Sequence, residues 1–161
     1  SNPGNPLSLL GQCQWDCEQA LRSRLPRHLI LRIGWSLERF LDRVRRHSPD
    51  EPLHLSSRYH GQPTPWADCA RVMTAMVQQL DCGAEAWGTY QYAGAETVSL
   101  YDLGLEVLGQ LPEGQRPHLV DEEADWMRLE PANAVLNCKK IRHTFGVQQR
   151  PWRLTLRPSE T

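Results

Sequence analysis

The stretch HLILRIG, residues 28–34, decides how the rest of the chain is organised. It is a short apolar run with β-branched content, bounded by Pro26 and Gly34. Runs of this length and composition are typical of strands inside a parallel sheet, where both faces are covered. The stretch therefore predicts a buried strand, with helices expected on either side of it.

Helices and strands alternate outward from this strand. Ser8 is expected to cap a helix that runs to about Ser23, and Ser36 and Ser99 are expected to cap two later helices. Helices are predicted in SLERFLDRVRRH, WADCARVMTAMVQQL, VSLYDLGLEVLGQL and PWRLTL, and a turn followed by a helix in NAVLNCKKIRHTFG. Strands are predicted in LHLS, GTYQYAG and HLVDE. SRYHGQPTP predicts a loop too polar to be core. The alternation predicts an α/β fold with at least one parallel strand pair.

Size and charge exclude several classes of protein. The 161 residues suffice for one domain with a real core. With 18 basic and 19 acidic residues, the net charge of -1 gives no electrostatic reason to expect a nucleic-acid or anionic-membrane partner. No apolar run approaches the roughly 20 residues that span a bilayer, and the N-terminus lacks the pattern of a signal peptide. We therefore expect a cytoplasmic protein with no nucleic-acid or membrane partner.

The five cysteines raise the question of a metal or redox site, because Cys13 and Cys17 lie four apart in LLGQCQWDCEQAL. An odd number of cysteines without a Cys-x-x-Cys pair favours a reducing compartment over a disulfide framework. No histidine lies near enough in sequence to complete a zinc pattern. We expect two half-buried thiols on one helix face and no metal site. The acidic run at 121–125 is likewise expected to be a solvated loop.

Several motifs follow one another in a characteristic order. HLILRIGW supplies Arg-x-x-Trp through Arg32 and Trp35, GQPTPWAD supplies Gly-x-Pro-Thr followed by an aspartate, and GTYQYAG supplies Gly-x-Tyr-x-x-x-Gly. Pro131, Leu136 and Lys140 match a later Pro…Leu…Lys pattern. Together these motifs resemble the C-terminal half of an extended short-chain dehydrogenase/reductase of the dTDP-4-dehydrorhamnose reductase family. The resemblance covers nearly the whole chain.

This resemblance implies the C-terminal part of a Rossmann-like fold, with short parallel strands and several helices. Residues 1–161 are then a single fragment, with a degenerate catalytic helix at 8–24 and a substrate-binding portion at 28–161. The chain has no GxGxxG or P-loop motif, so no cofactor is expected in the fragment. NAD(P) is expected in the full-length protein, bound by an N-terminal half that is the fragment's missing partner. The truncated sheet also makes a homodimer a reasonable expectation.

The first helix lacks the catalytic pair that the resemblance implies. The family carries Tyr-Gly-x-x-Lys-x-x-Gly-Glu, in which the tyrosine transfers a proton and the lysine lowers the tyrosine pKa. Gly11 and Glu18 match the outer landmarks, which places Leu10 at the tyrosine position and Gln14 at the lysine position. Leucine cannot donate a proton and glutamine carries no charge. No catalytic residue is therefore expected in this chain.

By the same resemblance, Trp35, Gln62, Pro63 and Thr64 are expected to bind a sugar nucleotide. From the residues alone, core packing of the tryptophan and a turn at Pro-Thr explain these positions about equally well. The sequence thus predicts the sugar-nucleotide-binding portion of a reductase-like protein that is catalytically inactive. Two alternatives stay open: an active NAD(P)-dependent sugar-nucleotide reductase or epimerase fragment, and a non-catalytic structural or interaction module.

Overall fold

The structure, a computed structural model, describes residues 9–156. The helices in this range are α1 (Leu9–Arg24), α2 (Leu37–Arg46), α3 (Trp66–Asp81), α4 (Leu100–Gly109), α5 (Lys139–Phe145) and α6 (Arg153–Leu156). The strands are β1 (Leu29–Ile33), β2 (Trp35–Ser36), β3 (Leu53–His54), β4 (His60–Gly61), β5 (Pro63–Thr64), β6 (Gly88–Tyr92), β7 (Val98–Ser99) and β8 (Leu119–Val120). No helix among residues 9–156 is both long and apolar enough to cross a membrane.

Parallel pairing dominates the strands, which confirms the predicted α/β fold. β1 pairs with β6 over five residues, from Leu29 opposite Gly88 to Ile33 opposite Tyr92. The short pairs β2–β5 and β3–β8 are also parallel, whereas β4–β7 is antiparallel. β2 follows the carboxyl end of β1 directly in the chain and pairs with β5, the Pro63–Thr64 strand.

Local signals placed the helix ends correctly. The Ser36 hydroxyl accepts the Arg39 N–H at 3.3 Å, and the Ser99 hydroxyl accepts the Asp102 N–H at 3.0 Å. Both contacts are the N-caps that the sequence predicts. Gly146 ends α5 in the left-handed region, with φ of 67°. The predicted cap at Ser8 lies outside the described residues.

The first strand is less buried than HLILRIG predicts. The side chains of β1 are only partly buried, and Ile33 is 46% exposed. β6 occupies one edge of β1, and no other described strand pairs with the second edge. Side chains of a parallel strand are buried where both faces of the sheet are covered, and a two-stranded sheet gives them few neighbours on either face.

α1 lies on the polar face of the β1–β6 pair. Arg22 Nη2 donates to Thr89 Oγ1 at 2.8 Å, which ties the helix to β6. No residue of α1 is buried, and Cys13 and Cys17 are exposed, so the prediction of half-buried thiols was wrong. The physical reason is that polar and charged contacts, rather than an apolar stripe, hold this helix to the sheet.

Two apolar clusters form the core. The first joins α2 and α4 with Met127 and Trp152, and the second packs α3 and α5 against β6. In the second cluster the Tyr90 and Phe145 rings meet edge to face, with centroids 5.0 Å apart. The Thr64–Gly94 contact connects the short strand β5 to the segment after β6.

The segment 57–65, predicted as a polar surface loop, instead enters the core. It contains β4 and β5, and residues 61–65 are all buried. Its backbone polar groups find partners: Gly61 pairs with Val98, and Trp35 pairs with Pro63. Glycine and proline leave little side-chain polarity, so tertiary hydrogen bonds make burial possible here.

Candidate functional site

The structure brings together the four side chains that the sequence predicts as substrate-binding. The β2–β5 pairing puts Trp35 opposite Pro63, and Gln62 and Thr64 flank that proline. The backbone of Gly61 crosses the indole of Trp35 so closely that a Cβ at this position would collide with the ring. Glycine is therefore required for the loop to pass over the tryptophan.

Thr64 acts as a crosslink inside this arrangement. Its hydroxyl donates to the Gln62 carbonyl at 3.0 Å and accepts the Gly94 N–H at 3.1 Å. The side chain is 1% exposed. A Cβ on Gly94 would collide with the Pro63 carbonyl, so β5 and the end of β6 are held in direct backbone contact. Thr64 fixes the loop rather than presenting its hydroxyl to solvent.

Gln62 is also buried, with 6% of its surface exposed. Its carboxamide Oε1 accepts the Leu136 N–H at 2.9 Å, which connects the loop to a segment 74 residues later in the chain. Of the four predicted residues, Trp35 is the one with a partly exposed side chain. The group therefore forms a rigid, closely packed platform with the indole at its surface.

The two family landmarks Glu18 and Arg32 meet in the structure. Arg32 Nε and Nη2 donate to the two carboxylate oxygens of Glu18 at 2.8 and 2.7 Å, and Arg22 Nη2 adds a third bond at 2.9 Å. The hydrogen bonds from Arg32 hold the pKa of Glu18 below its ordinary value. The same pairing raises the pKa of Arg32.

On the same helix, Leu10 and Gln14 are exposed. Leu10 shows 55% of its surface, and the Gln14 side chain forms no hydrogen bond within residues 9–156. Neither group gives α1 a proton donor or a positive charge at these positions. The ionisable groups on the described part of α1 near this register are therefore the two thiols, the exposed Asp16 and the paired Glu18 carboxylate.

A buried network that the sequence did not predict lies beside the platform. Asp68 accepts hydrogen bonds from the Tyr92 hydroxyl and, at 2.7 Å, from Arg71 Nε. Arg71 Nη2 also donates to the Gln148 carbonyl at 3.0 Å. Burial, followed by the hydrogen bond to Asp68, raises the pKa of Tyr92. The spacing of Asp68 after the Gly-x-Pro-Thr motif was a signal for this position, but nothing in the sequence pairs it with Tyr92.

The acidic run at 121–125 is engaged by neighbouring groups. Asp121 accepts the Ser57 N–H at 2.7 Å, and that bond lowers the pKa of Asp121. The other three carboxylates also have partners: Glu122 lies 3.2 Å from His54 Nδ1, Glu123 forms ion pairs with Arg58 and Arg128, and Asp125 forms one with Arg128. Within residues 9–156, no three His, Cys, Asp or Glu side chains are placed to hold a metal ion.

Two shallow clefts lie elsewhere on the surface. One, of about 200 Å³, is bordered by Cys138, Lys139, Arg142 and residues 147–149. The other, of about 370 Å³, lies between the end of α2 and Leu111. Neither is lined by the four predicted site residues. In the described part of the chain, these two clefts are therefore separate from the group formed by Trp35, Gln62, Pro63 and Thr64.

Comparison with known proteins identifies the family. Residues 1–159 match the family described as RmlD substrate binding domain. The chain belongs to this family. The match extends over nearly all of the 161 residues, which confirms the resemblance read from the motifs.

Relatives of this RmlD substrate binding domain are longer proteins. The dTDP-4-dehydrorhamnose reductase of Aggregatibacter actinomycetemcomitans is 26% identical over 166 aligned positions, covering 95% of this chain and 56% of that protein. The reductase of Sinorhizobium fredii (strain NBRC 101917 / NGR234) is also 26% identical, covering 91% of this chain and 54% of that protein. The chain thus spans about half the length of the curated relatives it matches.

Solved structures confirm the fold. The dTDP-4-dehydrorhamnose reductase of Bacillus anthracis str. Ames, in complex with NADP, superposes with a TM-score of 0.72 at 16% identity, covering 97% of this chain and 55% of that one. A UDP-N-acetylglucosamine 4-epimerase from Methanobrevibacter ruminantium M1, in complex with UDP-N-acetylmuramic acid, gives 0.69 at 11% identity, covering 96% and 52%. At such identities the likeness establishes the α/β architecture alone. The RmlD substrate binding domain therefore has the fold of one part of a larger Rossmann-like protein.

Proposed function

We propose that this chain binds a sugar nucleotide through the platform of Trp35, Gln62, Pro63 and Thr64. The observation that carries the proposal is the packing of the Trp35 indole beneath Gly61 and opposite Pro63. A fixed, partly exposed aromatic ring offers an apolar face to a base or to the C–H face of a pyranose. Membership of the RmlD substrate binding domain family and the sugar nucleotide bound by the superposed epimerase support the ligand class.

Catalytic inactivity is the second part of the proposal. Leu10 and Gln14 occupy the positions that the family motif gives to tyrosine and lysine. The contact between Glu18 and Arg32 supports this register, because it joins two landmarks of the resemblance. Without a proton donor at position 10 and a cation at position 14, the helix lacks the groups that perform the family's acid–base step of carbonyl reduction. The alternative of an active reductase requires catalytic groups outside this register.

A further half of the protein is the proposed partner. β1 has an open edge, and α3 carries Trp66, Met73 and Val77 exposed at 57%, 54% and 58%. Gln79 faces α5, because its Nε2 donates to the carbonyl of the α5 residue Phe145. Val77 lies about 160° around the helix from Gln79. The three exposed side chains therefore lie on the flank of α3 that is turned away from α5. An N-terminal half that added a parallel strand to β1 would cover both features.

NAD(P) would be held by that half rather than by this chain. Within residues 9–156 no turn from a strand into a helix carries the glycine-rich loop that cradles a diphosphate. The residues present therefore do not fit a dinucleotide on their own.

A second copy of the chain is the other candidate for the open edge. All five thiols are free, which supports a reducing, cytoplasmic setting.

The test uses the full-length protein and calorimetric titration with dTDP- and UDP-sugars, with and without NAD(P)H. Binding without NAD(P)H oxidation on a 4-keto sugar would support the proposal. Oxidation would overturn the inactivity and the assignment of Leu10 and Gln14. No binding would favour the structural module. Trp35→Leu should weaken binding, whereas Trp87→Leu, whose indole bonds to exposed Glu85, is the matched control.

A further inference from the structure

Residues 132–136 run beside the platform and pair with the edge of β4. We call this segment the strap. His60 N–H donates to the Ala132 carbonyl at 2.8 Å, and Ala134 N–H donates to the His60 carbonyl at 2.8 Å. The two bonds form a parallel bridge between His60 and Asn133. β4 is thereby flanked by β7 on one edge and by the strap on the other.

A later bond of this ladder has an unusual acceptor. If the parallel pairing continued, the Gln62 N–H would donate to the Ala134 carbonyl, and the Leu136 N–H would then donate to the Gln62 backbone carbonyl. Here the Gln62 carbonyl is already engaged by the Thr64 hydroxyl at 3.0 Å. The Leu136 N–H is instead accepted by Gln62 Oε1 at 2.9 Å. The side chain of Gln62 thus takes the place of its own backbone carbonyl and forms a third hydrogen bond to the strap.

The strap depends on these hydrogen bonds because few of its side chains are buried. Residues 132, 133 and 135 are exposed, with Val135 at 42%, and Ala134 and Leu136 are partly buried. Apart from Leu136, which packs against the second core cluster, the strap lies outside both clusters. Removing one of these three hydrogen bonds therefore removes a large part of what fixes the path of the strap.

We propose that Gln62 is a positioning residue that holds the strap as a wall of the sugar-nucleotide site. The inference rests on the proposed function for its ligand and on the described geometry for its mechanism. Gln62 lies between Gly61, which crosses Trp35, and Pro63, which pairs with Trp35. The same carboxamide that reaches Leu136 therefore ties the strap to the platform.

The first test is amide hydrogen exchange of the wild-type full-length protein, which needs no ligand. The Leu136 amide should be protected to a degree similar to that of Ala134. Rapid exchange at Leu136 with protection at Ala134 would overturn the proposal. Gln62→Met keeps the length of the side chain and removes the strong acceptor, and it should speed exchange at Leu136 severalfold. Gln62→Glu retains an acceptor oxygen and should restore protection.

Gln79→Met is the matched control, because Gln79 Nε2 donates to the Phe145 carbonyl at 2.9 Å, away from the strap. It removes a side-chain-to-backbone hydrogen bond of the same kind and should leave exchange at Leu136 unchanged. Equal acceleration at Leu136 in both variants would mean general loosening and would contradict the positioning role.

The second readout is affinity for dTDP-glucose and UDP-glucose. Gln62→Met should weaken binding about fivefold, as expected for the loss of one hydrogen bond, while Gln79→Met stays within about twofold of wild type. Equal affinities of Gln62→Met and wild type would overturn the inference and leave the proposed function standing. If the wild-type protein binds neither sugar nucleotide, the proposed function fails. The role of Gln62 in the sugar-nucleotide site then fails as well, even if the Leu136 amide is protected as expected.

Discussion

Glu18 and Arg32 are joined by two parallel hydrogen bonds, from Nε and Nη2 of the guanidinium to the two carboxylate oxygens, at 2.8 and 2.7 Å. This bidentate geometry is the strongest form of side-chain ion pair. The Glu18 and Arg32 side chains are 15% and 24% exposed, so the pair is partly shielded from water. Because α1 has no buried residue, the pair is a principal attachment of α1 to β1.

Glu18→Gln should therefore loosen α1 from the sheet. The variant loses the ionic component of the contacts to Arg32 and Arg22, and we expect the free energy of unfolding to fall by about 1–3 kcal/mol. Denaturant titration and amide exchange across α1 measure the effect. Asp16→Asn is the matched control, because among the described residues Asp16 on the same helix accepts a single, exposed bond from Gln12. Equal losses in the two variants would contradict a specific role for Glu18.

The same pair predicts a pH dependence with a definite sign. The hydrogen bonds from Arg32 lower the pKa of Glu18 from 4.5 in the folded state. A lowered pKa stabilises the fold fully at pH values above 4.5, and the stabilisation is lost as pH falls through the folded-state pKa. The stability difference between wild type and Glu18→Gln should be largest near pH 7 and shrink below pH 4.5. A difference that grows on acidification would refute this assignment.

Gly61→Ala should disrupt the platform. A Cβ at this position collides with the Trp35 indole, so either the loop or the ring must move. We expect a loss of about 1–3 kcal/mol in the free energy of unfolding and weaker ligand binding. Gly109→Ala is the control, since nothing lies within 4 Å of its added Cβ. It should be neutral or slightly stabilising. A wild-type midpoint for Gly61→Ala would show that the loop does not cross the ring.

Tyr92→Phe should destabilise the fold through Asp68. The variant removes the hydroxyl that donates to a carboxylate whose residue is 8% exposed, and Arg71 remains its donor. Leaving one lone-pair direction of a buried carboxylate unsatisfied costs about 1–3 kcal/mol, measurable by denaturant titration. Tyr101→Phe serves as the control, because the Tyr101 hydroxyl forms no hydrogen bond within the described residues. A neutral Tyr92→Phe would mean that water replaces the hydroxyl at Asp68.

The sequence predicted those features that short-range chemistry determines. Ser36 and Ser99 cap helices by bonding to N–H groups three residues away, and Gly146 ends α5 through its own backbone freedom. Features set by distant segments were predicted less well. The burial of 61–65 depends on pairing with β2 and β7, and the Asp68–Tyr92 bond spans 24 residues. No local pattern encodes such partners.

The same limit applies to the candidate site. The resemblance selected Trp35, Gln62, Pro63 and Thr64, and the structure brings them together. The resemblance could not indicate that the Thr64 hydroxyl would donate a hydrogen bond to the Gln62 carbonyl. Nor could it indicate that the Gln62 side chain would accept the Leu136 N–H. The contact to Leu136 depends on the path of the chain between α4 and α5, which carries no periodic signal.

The open edge of β1 also affects how the chain behaves in concentrated solution. Within residues 9–156 no strand pairs with the second edge of Leu29–Ile33, which includes the exposed Ile33 and carries Arg32 as its one charge. Arg32 is neutralised by Glu18, so the strand lacks the free inward charge that commonly prevents edge-to-edge aggregation. The solubility of this polypeptide therefore depends on whether the open edge of β1 is covered. The ion pair that holds α1 in place also neutralises Arg32, the charge that would otherwise oppose aggregation at this edge.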